Sequence, residues 1–150
     1  PRPADPQRAE ALGARPMPLD ELLRCADIVT LHVPLLPATK GLIGARELAA
    51  MKDGAILIQA SRGGIVDENA LADSLRGGRL GGAAVDVYTS EPPGADNPLL
   101  GLDGEAAGRL LLTPHIAGVT RQSAALRLRL AWENVERVLI ANEPPHYRAY

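Results

Sequence analysis

Arg62, Glu91 and His115 are the side chains of this sequence best suited to acid–base chemistry on a small acid. The guanidinium of Arg62 offers a planar fork of N–H donors to a carboxylate, a geometry that a lysine cannot match. His115 can give a proton to a carbonyl oxygen or take one from a hydroxyl, because imidazole titrates near neutral pH. A carboxylate such as Glu91 beside the imidazole favours its charged form and holds one tautomer. The set therefore predicts interconversion of a 2-hydroxy acid and a 2-keto acid, with a hydride carrier as the second reactant.

Four polar segments collect directly after predicted strands. They are His32 to Pro34, Ala60 to Gly64, Asp86 with Glu91 beyond it, and Thr113 to His115. Taken singly, each has an ordinary explanation, such as a surface histidine, a tight Arg-Gly-Gly turn or loop composition. In an open parallel sheet, however, ligands bind beyond the carboxyl ends of the strands. The convergence of all four segments on one sheet edge therefore favours a site.

The elements that must position these segments alternate between short apolar runs and helical patterns. Such alternation predicts an α/β fold with a doubly wound parallel sheet. We expect helices over 7–12, 19–24, 45–51, 67–76 and 120–142, strands over 14–17, 27–32, 55–59, 80–87 and 110–113, and a long loop over 88–108. The runs 27–32 and 55–59 lack polar alternation, which predicts strands buried on both faces.

The last helix carries apolar residues at the three-to-four spacing of a single face. They are Ala124, Leu128, Trp132, Val135 and Leu139. A stripe with this spacing is typical of a helix that packs against a core. We therefore expect one buried face on this helix, with Thr120 as its N-cap.

Length and charge narrow the class of protein. A chain of 150 residues predicts one domain, and 16 Lys and Arg against 18 Asp and Glu favour neither nucleic acid nor an anionic membrane as a partner. No apolar run approaches the roughly 20 residues needed to cross a bilayer. We expect a soluble, cytoplasmic protein that acts on a small metabolite and holds no metal.

Four ordered motifs resemble the D-isomer-specific 2-hydroxyacid dehydrogenases over nearly the whole chain. They are Asp27 to Thr39, Ser61 to Leu71, Ala84 to Val87 followed by Glu91-Pro92, and Thr113 to Gly118. The resemblance implies the second half of a Rossmann-like dinucleotide-binding domain and NAD as the cofactor, with NADP also open because Arg2 could support a 2′-phosphate. It further implies a homodimer acting on a small 2-hydroxy or 2-keto acid.

The same resemblance implies a role for each site residue. Arg62 would anchor the substrate, His115 would be the acid–base group and Glu91 its partner. Asp86 would reach the nicotinamide carboxamide, and the residues from His115 to Gly118 would border the ring. The rest of the cofactor lining would come from His32, Val33, Pro34, Ala60, Ser61 and Arg62.

The resemblance also divides the chain and exposes departures. Residues 1–118 would form a partial NAD(P)-binding domain that lacks the Gly-rich phosphate loop, and residues 119–150 a helix and tail returning toward a substrate domain, so that part of the helix's apolar face would be exposed. We expect a chain that lacks its first part. Gln59 stands where the family usually has Asn, and residues 103–108 look like extra length.

Two other hypotheses stay open. The chain could belong to a dinucleotide-sensing or interaction module that uses the same fold without turnover, or it could be an inert piece by itself. The filled positions at Arg62, Glu91 and His115 favour an enzyme over a binding module. Turnover of NADH with a small keto acid would discriminate between them.

Overall fold

A four-stranded parallel sheet organises the first part of the chain. In the computed structural model, which describes residues 6–146, the strands are β1 (Ile28–Leu31), β2 (Ile56–Gln59), β3 (Gly82–Val85) and β4 (Leu110–Leu112). They lie in chain order, and each pairs in parallel with the next. Parallel neighbours need crossover connections, which the helices between the strands supply. The predicted α/β class with a parallel sheet is confirmed.

Helices precede or separate the strands. They are α1 (Pro6–Ala11), α2 (Leu19–Cys25), α3 (Ala45–Ala50), α4 (Glu68–Arg76) and α5 (Gly104–Gly108), and α2 to α5 supply apolar side chains to the core. Leu71 and Leu75 of α4, four residues apart and therefore on one helix face, are both buried. They join a core cluster that includes Leu48 of α3 and Leu57 of β2. Asp67 caps α4 by accepting hydrogen bonds from the backbone N–H groups of Asn69 and Ala70.

The sheet is buried on one face and open on the other, so the prediction that β1 and β2 are buried on both faces is wrong. Val29 and Leu57 are almost inaccessible, whereas Ile28 and Ile56 are 57% and 39% exposed. Successive side chains of a strand point to opposite faces. The described helices α2, α3 and α4 contribute to the core cluster on the face of Val29 and Leu57. The apolar composition of the two strands shows that both faces carry apolar side chains, but it does not show which face the helices cover.

Three local predictions also differ from the structure. Residues 14–17 form no strand, and within residues 6–146 they pair with none. The predicted strand 80–87 is shorter, because only Gly82–Val85 pairs with β2 and only residues 83–85 pair with β4. The last part of the predicted loop, considered extra length, forms α5, where Asp103 takes the N-cap position. Sequence patterns locate elements well but place their ends poorly, because pairing decides the ends.

The described residues divide into two compact units, the first ending at His115 and the second beginning at Ile116. The second unit consists mainly of α6 (Arg121–Leu139), which Thr120 and Ser123 cap reciprocally. The buried face predicted from the spacing is wrong, since no residue of α6 is buried and Leu128, Trp132 and Leu139 are 73%, 63% and 77% exposed. The exposure of part of this face, expected from the resemblance, is confirmed. A unit made of one helix has no second apolar layer of its own to cover a stripe.

Arg2, considered for a 2′-phosphate, lies outside the described residues. Within residues 6–146, no helix combines the length and the apolar character that crossing a membrane requires.

Candidate active site

The sheet register brings the predicted site segments to one edge. Leu31 pairs with Gln59, Gln59 with Val85, and Val85 with Leu112. The residues that follow these four positions therefore leave the sheet side by side at its carboxyl edge. They begin the segments that carry His32, Arg62, Asp86 and Thr113 to His115. This edge is where open parallel sheets bind ligands.

Glu91 and His115 form a hydrogen-bonded pair in the first unit. The Oε2 atom of Glu91 lies 2.7 Å from Nδ1 of His115, and the two side chains are 37% and 46% exposed. The backbone N–H of Tyr88 donates to the other carboxylate oxygen, Oε1, at 3.0 Å. The hydrogen bond from His115, and after it that from Tyr88, hold the pKa of Glu91 below its ordinary value. The carboxylate is therefore charged and acts as an acceptor toward the imidazole.

The backbone of His115 adopts the left-handed region, with φ at 55°. Residues other than glycine rarely adopt this backbone conformation, and those that do are often found at functional sites. Two residues earlier, the N–H of Thr113 donates to the carbonyl of Val85 at 3.0 Å, which continues the pairing of β3 and β4 up to this turn. The turn thus begins from a fixed strand end.

Tyr88 connects the ends of β3 and β4. Its hydroxyl donates to the carbonyl of Thr113 at 2.9 Å, two residues before His115. Burial raises the pKa of Tyr88, and the nearby carboxylates of Asp86, Glu68 and Glu91 add to that shift. The phenol is therefore a neutral donor. Tyr88 therefore contacts two parts of the site. Its backbone N–H binds the Glu91 carboxylate, and its hydroxyl binds the end of the strand that leads to His115.

Asp86 lies buried at the end of β3, where the hydroxyl of Thr113 donates to its Oδ1 atom at 2.6 Å. A buried carboxylate is costly unless hydrogen bonds satisfy it. This bond fixes Asp86 at the carboxyl edge, beside the strand that leads to His115.

Gln59 organises the turn that carries Arg62. Its amide donates to the carbonyl of Arg62 at 2.9 Å, and its Oε1 accepts the hydroxyl of Ser61 at 2.7 Å. The guanidinium of Arg62 donates to the carbonyl of Ser61 at 2.7 Å, and the residue is otherwise exposed. The substitution of Gln for Asn noted in the sequence therefore places a buried side chain under this turn.

The turn of Arg62 also contacts the segment of Glu91. A Cβ atom at Gly63 would lie 1.8 Å from the carbonyl oxygen of Tyr88 and 2.7 Å from the nitrogen of Thr89. Only a glycine permits backbone segments to approach so closely. Through this approach and Tyr88, the structure links the segments of Arg62, Glu91 and His115.

One cleft of about 500 Å³ lies at the carboxyl edge of β1 and β2. Six of the predicted cofactor residues line it, namely His32, Val33, Pro34, Ala60, Ser61 and Arg62, and Leu35 completes the lining. Asp86 and His115 lie on the neighbouring strand ends and do not line this cleft. Gly118 lies in the second unit, where its carbonyl accepts the hydroxyl of Ser123 at 2.8 Å. No group of His, Cys, Asp and Glu in residues 6–146 is arranged to hold a metal.

The sequence predicted no individual role for three residues that organise this site. They are Tyr88, Gly63 and Glu68, which accepts hydrogen bonds from Thr89 and Asn97. The glycine pair at 63 and 64 was the available signal for a close backbone approach. No local sequence pattern indicated that Tyr88 binds Thr113 or that Glu68 binds Asn97, since the two residues of each pair are far apart in the chain.

Comparison with known proteins assigns the family. Residues 1–117 match the NAD binding domain of the D-isomer specific 2-hydroxyacid dehydrogenases. The chain belongs to this family. The D-3-phosphoglycerate dehydrogenase of Archaeoglobus fulgidus is 47% identical to this chain over 117 residues, which are 78% of the chain and 21% of that protein. The resemblance stated from the four motifs is thereby confirmed.

Solved structures extend the likeness to the fold of this chain. The D-mandelate dehydrogenase of Rhodotorula graminis matches 99% of it and 42% of its own chain, with a TM-score of 0.83 and 33% identity. A D-isomer specific 2-hydroxyacid dehydrogenase from Xanthobacter autotrophicus, solved with NADPH and MES, covers 85% of this chain and 39% of its own, with a TM-score of 0.70 and 36% identity. The predicted Rossmann-like fold is confirmed. The chain spans between about a fifth and two fifths of the length of these relatives.

Proposed function

We propose that the protein containing this chain is an NAD(P)-dependent dehydrogenase that interconverts a small D-2-hydroxy acid and its 2-keto acid. One observation carries the proposal, the contact of 2.7 Å between Nδ1 of His115 and Oε2 of Glu91 at the carboxyl edge of the sheet. A carboxylate bound to one imidazole nitrogen prepares the other for proton transfer. Family membership supports the reaction class.

His115 moves the proton in this reaction. Because the Glu91 carboxylate is only an acceptor, Nδ1 carries a hydrogen and Nε2 is the nitrogen that faces the reaction. In the reductive direction Nε2 gives its proton to the carbonyl oxygen of the keto acid, and the neutral imidazole then recovers a proton from water. In the oxidative direction Nε2 takes the hydroxyl proton. Glu91 stabilises the imidazolium form whenever His115 carries the second proton, since the pKa of Glu91 is held low and its carboxylate stays charged.

Arg62 anchors the substrate carboxylate. Its guanidinium is exposed beside the cleft, with Nη1 donating to the carbonyl of Ser61 and its remaining donors available for an acid. A bidentate ion pair fixes the orientation of the carboxylate and so presents the adjacent carbonyl in one direction. The reacting carbon is then held while His115 transfers the proton.

The described residues suit the nicotinamide end of a dinucleotide. The cleft of about 500 Å³ along His32 to Pro34 and Ala60 to Arg62 accepts a planar ring and ribose, and Asp86 offers a fixed carboxylate on the neighbouring strand end. When bound, the nicotinamide supplies or takes the hydride at the substrate's C2. We assign Asp86 to the carboxamide of that ring. We further propose that the protein is a homodimer in the cytoplasm.

The decisive experiment measures turnover of the natural polypeptide that contains this chain. NADH and NADPH are each offered with glyoxylate, hydroxypyruvate and pyruvate, and absorbance at the nicotinamide band is followed. His115→Ala should lower kcat/KM by about 10²- to 10⁴-fold, the usual contribution of an acid–base group. His146→Ala, at a histidine of the second unit, is the matched control and should leave the rate unchanged.

Two outcomes would contradict the proposal. Equal rates for the wild-type protein and His115→Ala would remove His115 from the chemistry. Binding of NADH without turnover on any of the three acids, or on glycerate and lactate with NAD in the reverse direction, would favour the dinucleotide-sensing module instead. Analytical ultracentrifugation of the same protein tests the dimer.

A further inference from the structure

Glu68 connects α4 to the segment that carries Glu91. One of its carboxylate oxygens, Oε1, accepts the backbone N–H of Thr89 at 2.6 Å and the Thr89 hydroxyl at 2.8 Å. The other oxygen, Oε2, accepts the side-chain amide of Asn97 at 2.7 Å. Thr89 precedes Glu91 and Asn97 follows it, so a single carboxylate ties both ends of the loop that holds Glu91.

Both Glu68 and its partner Asn97 are attached to the core. Glu68 is the first residue of α4, which Asp67 caps, and Leu71 of the same helix is buried in the core. Asn97 is buried, and its Oδ1 accepts the backbone N–H of Leu99, a core residue, at 3.0 Å. Hydrogen bonds to a charged acceptor are about twice as strong as neutral ones. The loop between Thr89 and Asn97 is therefore held at two points to the core.

Glu91 depends on the same segment for its orientation. Its Oε1 accepts the N–H of Tyr88, directly before Thr89, while its Oε2 reaches His115. On the opposite side, the backbone of Tyr88 lies against Gly63. A shift of the chain at Thr89 would therefore move the donor to Glu91 and change the contact with the imidazole.

We infer that Glu68 is a positioning residue for the Glu91–His115 pair, acting through Thr89 and Asn97 rather than by contact with substrate or cofactor. The inference rests on the proposed function for its effect on turnover, but the positioning itself is a property of the fold. An acidic residue in the first turn of a helix also interacts favourably with the helix dipole. The test must therefore separate positioning from a general contribution to stability.

The first test reads the geometry directly by titrating the carboxyl carbon of Glu91 with 13C NMR in the natural polypeptide. In Glu68→Ala the pKa of Glu91 should rise toward its ordinary value, because the hydrogen bonds from His115 and Tyr88 that lower it are loosened. Glu21→Gln, which removes a first-turn acid from α2, is the matched control and should leave the titration unchanged. A Glu91 pKa in Glu68→Ala equal to that of the wild type would overturn the inference.

A second pair of variants protects the test against simple unfolding. In Glu68→Gln the side-chain amide meets the amide of Asn97 donor to donor, while Oε1 can still accept from Thr89. Adding Asn97→Asp restores an acceptor for that amide and keeps the oxygen that binds the N–H of Leu99. The Glu91 titration should move partway in the single variant and return toward wild type in the double variant. An equal shift in both would argue against the proposed contact.

Turnover gives the last readout. Glu68→Ala should lower kcat by about tenfold with little change in KM for the keto acid, because misplacement of a catalytic pair slows the chemical step more than binding. A proportional loss of active protein without a change in kcat per folded molecule would contradict positioning. A wild-type protein without any turnover would refute the proposed function, and the NMR titration would still decide the role of Glu68.

Discussion

His115 and Glu91, separated by 24 residues in the chain, meet through Nδ1 and Oε2 at 2.7 Å. The contact joins the turn after β4 to the loop after β3. Since Tyr88 also donates to Glu91, the carboxylate is held from two sides and remains charged. The consequences of this arrangement can be measured one residue at a time.

Replacement of the carboxylate by an amide should slow the reaction while keeping the shape of the site. In Glu91→Gln the imidazolium loses its charged partner, and kcat/KM for keto-acid reduction should fall by about tenfold or more. Steady-state kinetics of the natural polypeptide measure this loss. Glu105→Gln changes an acid that is 95% exposed on α5, and it should behave as wild type. An unchanged kcat/KM in Glu91→Gln would argue against the assigned role of the pair.

The same pair should make stability sensitive to acid. The pKa of Glu91 lies below its ordinary value of 4.5 in the folded protein, so the folded state binds the proton less readily than the unfolded state. The stabilisation is therefore complete above the ordinary pKa and is lost as the pH falls through the lower, folded value. Urea unfolding at several pH values from about 6 down to 3 should show this loss. Glu91→Gln should show a shallower decline over the same interval, and an identical decline would contradict it.

Arg62→Lys tests the bidentate anchor. A lysine keeps the charge but presents no planar fork, so KM for the keto acid should rise by about tenfold or more, the equivalent of one charged hydrogen bond. Arg46→Lys alters an arginine that is 76% exposed on α3 and serves as the control. Equal KM values for Arg62→Lys and wild type would show that the substrate carboxylate binds elsewhere.

Gly63→Ala tests the close approach of the two turns. The added methyl would meet the carbonyl oxygen of Tyr88 at 1.8 Å, so the backbone at one of the two segments must shift. The expected cost is about 1–3 kcal/mol of unfolding free energy, as for other overpacked sites, together with a lower kcat. Gly108→Ala is the matched control, because a methyl there meets nothing within 4 Å. Chemical denaturation measures both variants, and equal stabilities would contradict the tight contact.

The sequence by itself determined the element order and the residues at the carboxyl edge. Apolar runs predicted β1, β2 and β4 within a residue or two, and the polar residues after them, among them Arg62 and His115, follow those strands in the structure. These predictions depend on periodicity and on where parallel strands end, both of which are local properties. The four motifs also sufficed for the family, which the match over residues 1–117 confirms.

Only the tertiary structure decided which distant groups meet and which faces are covered. Glu68 reaches Asn97 across 29 residues, and Tyr88 reaches Thr113 across 25, contacts that no local pattern encodes. The open sheet face at Ile28 and the exposed stripe of α6 show the same limit, since apolar composition records an affinity for burial and not the partner that supplies it. Such contacts arise when loops close over a packed core. The distance of 2.7 Å between His115 and Glu91 is likewise determined by the packing of the whole fold and not by the local sequence.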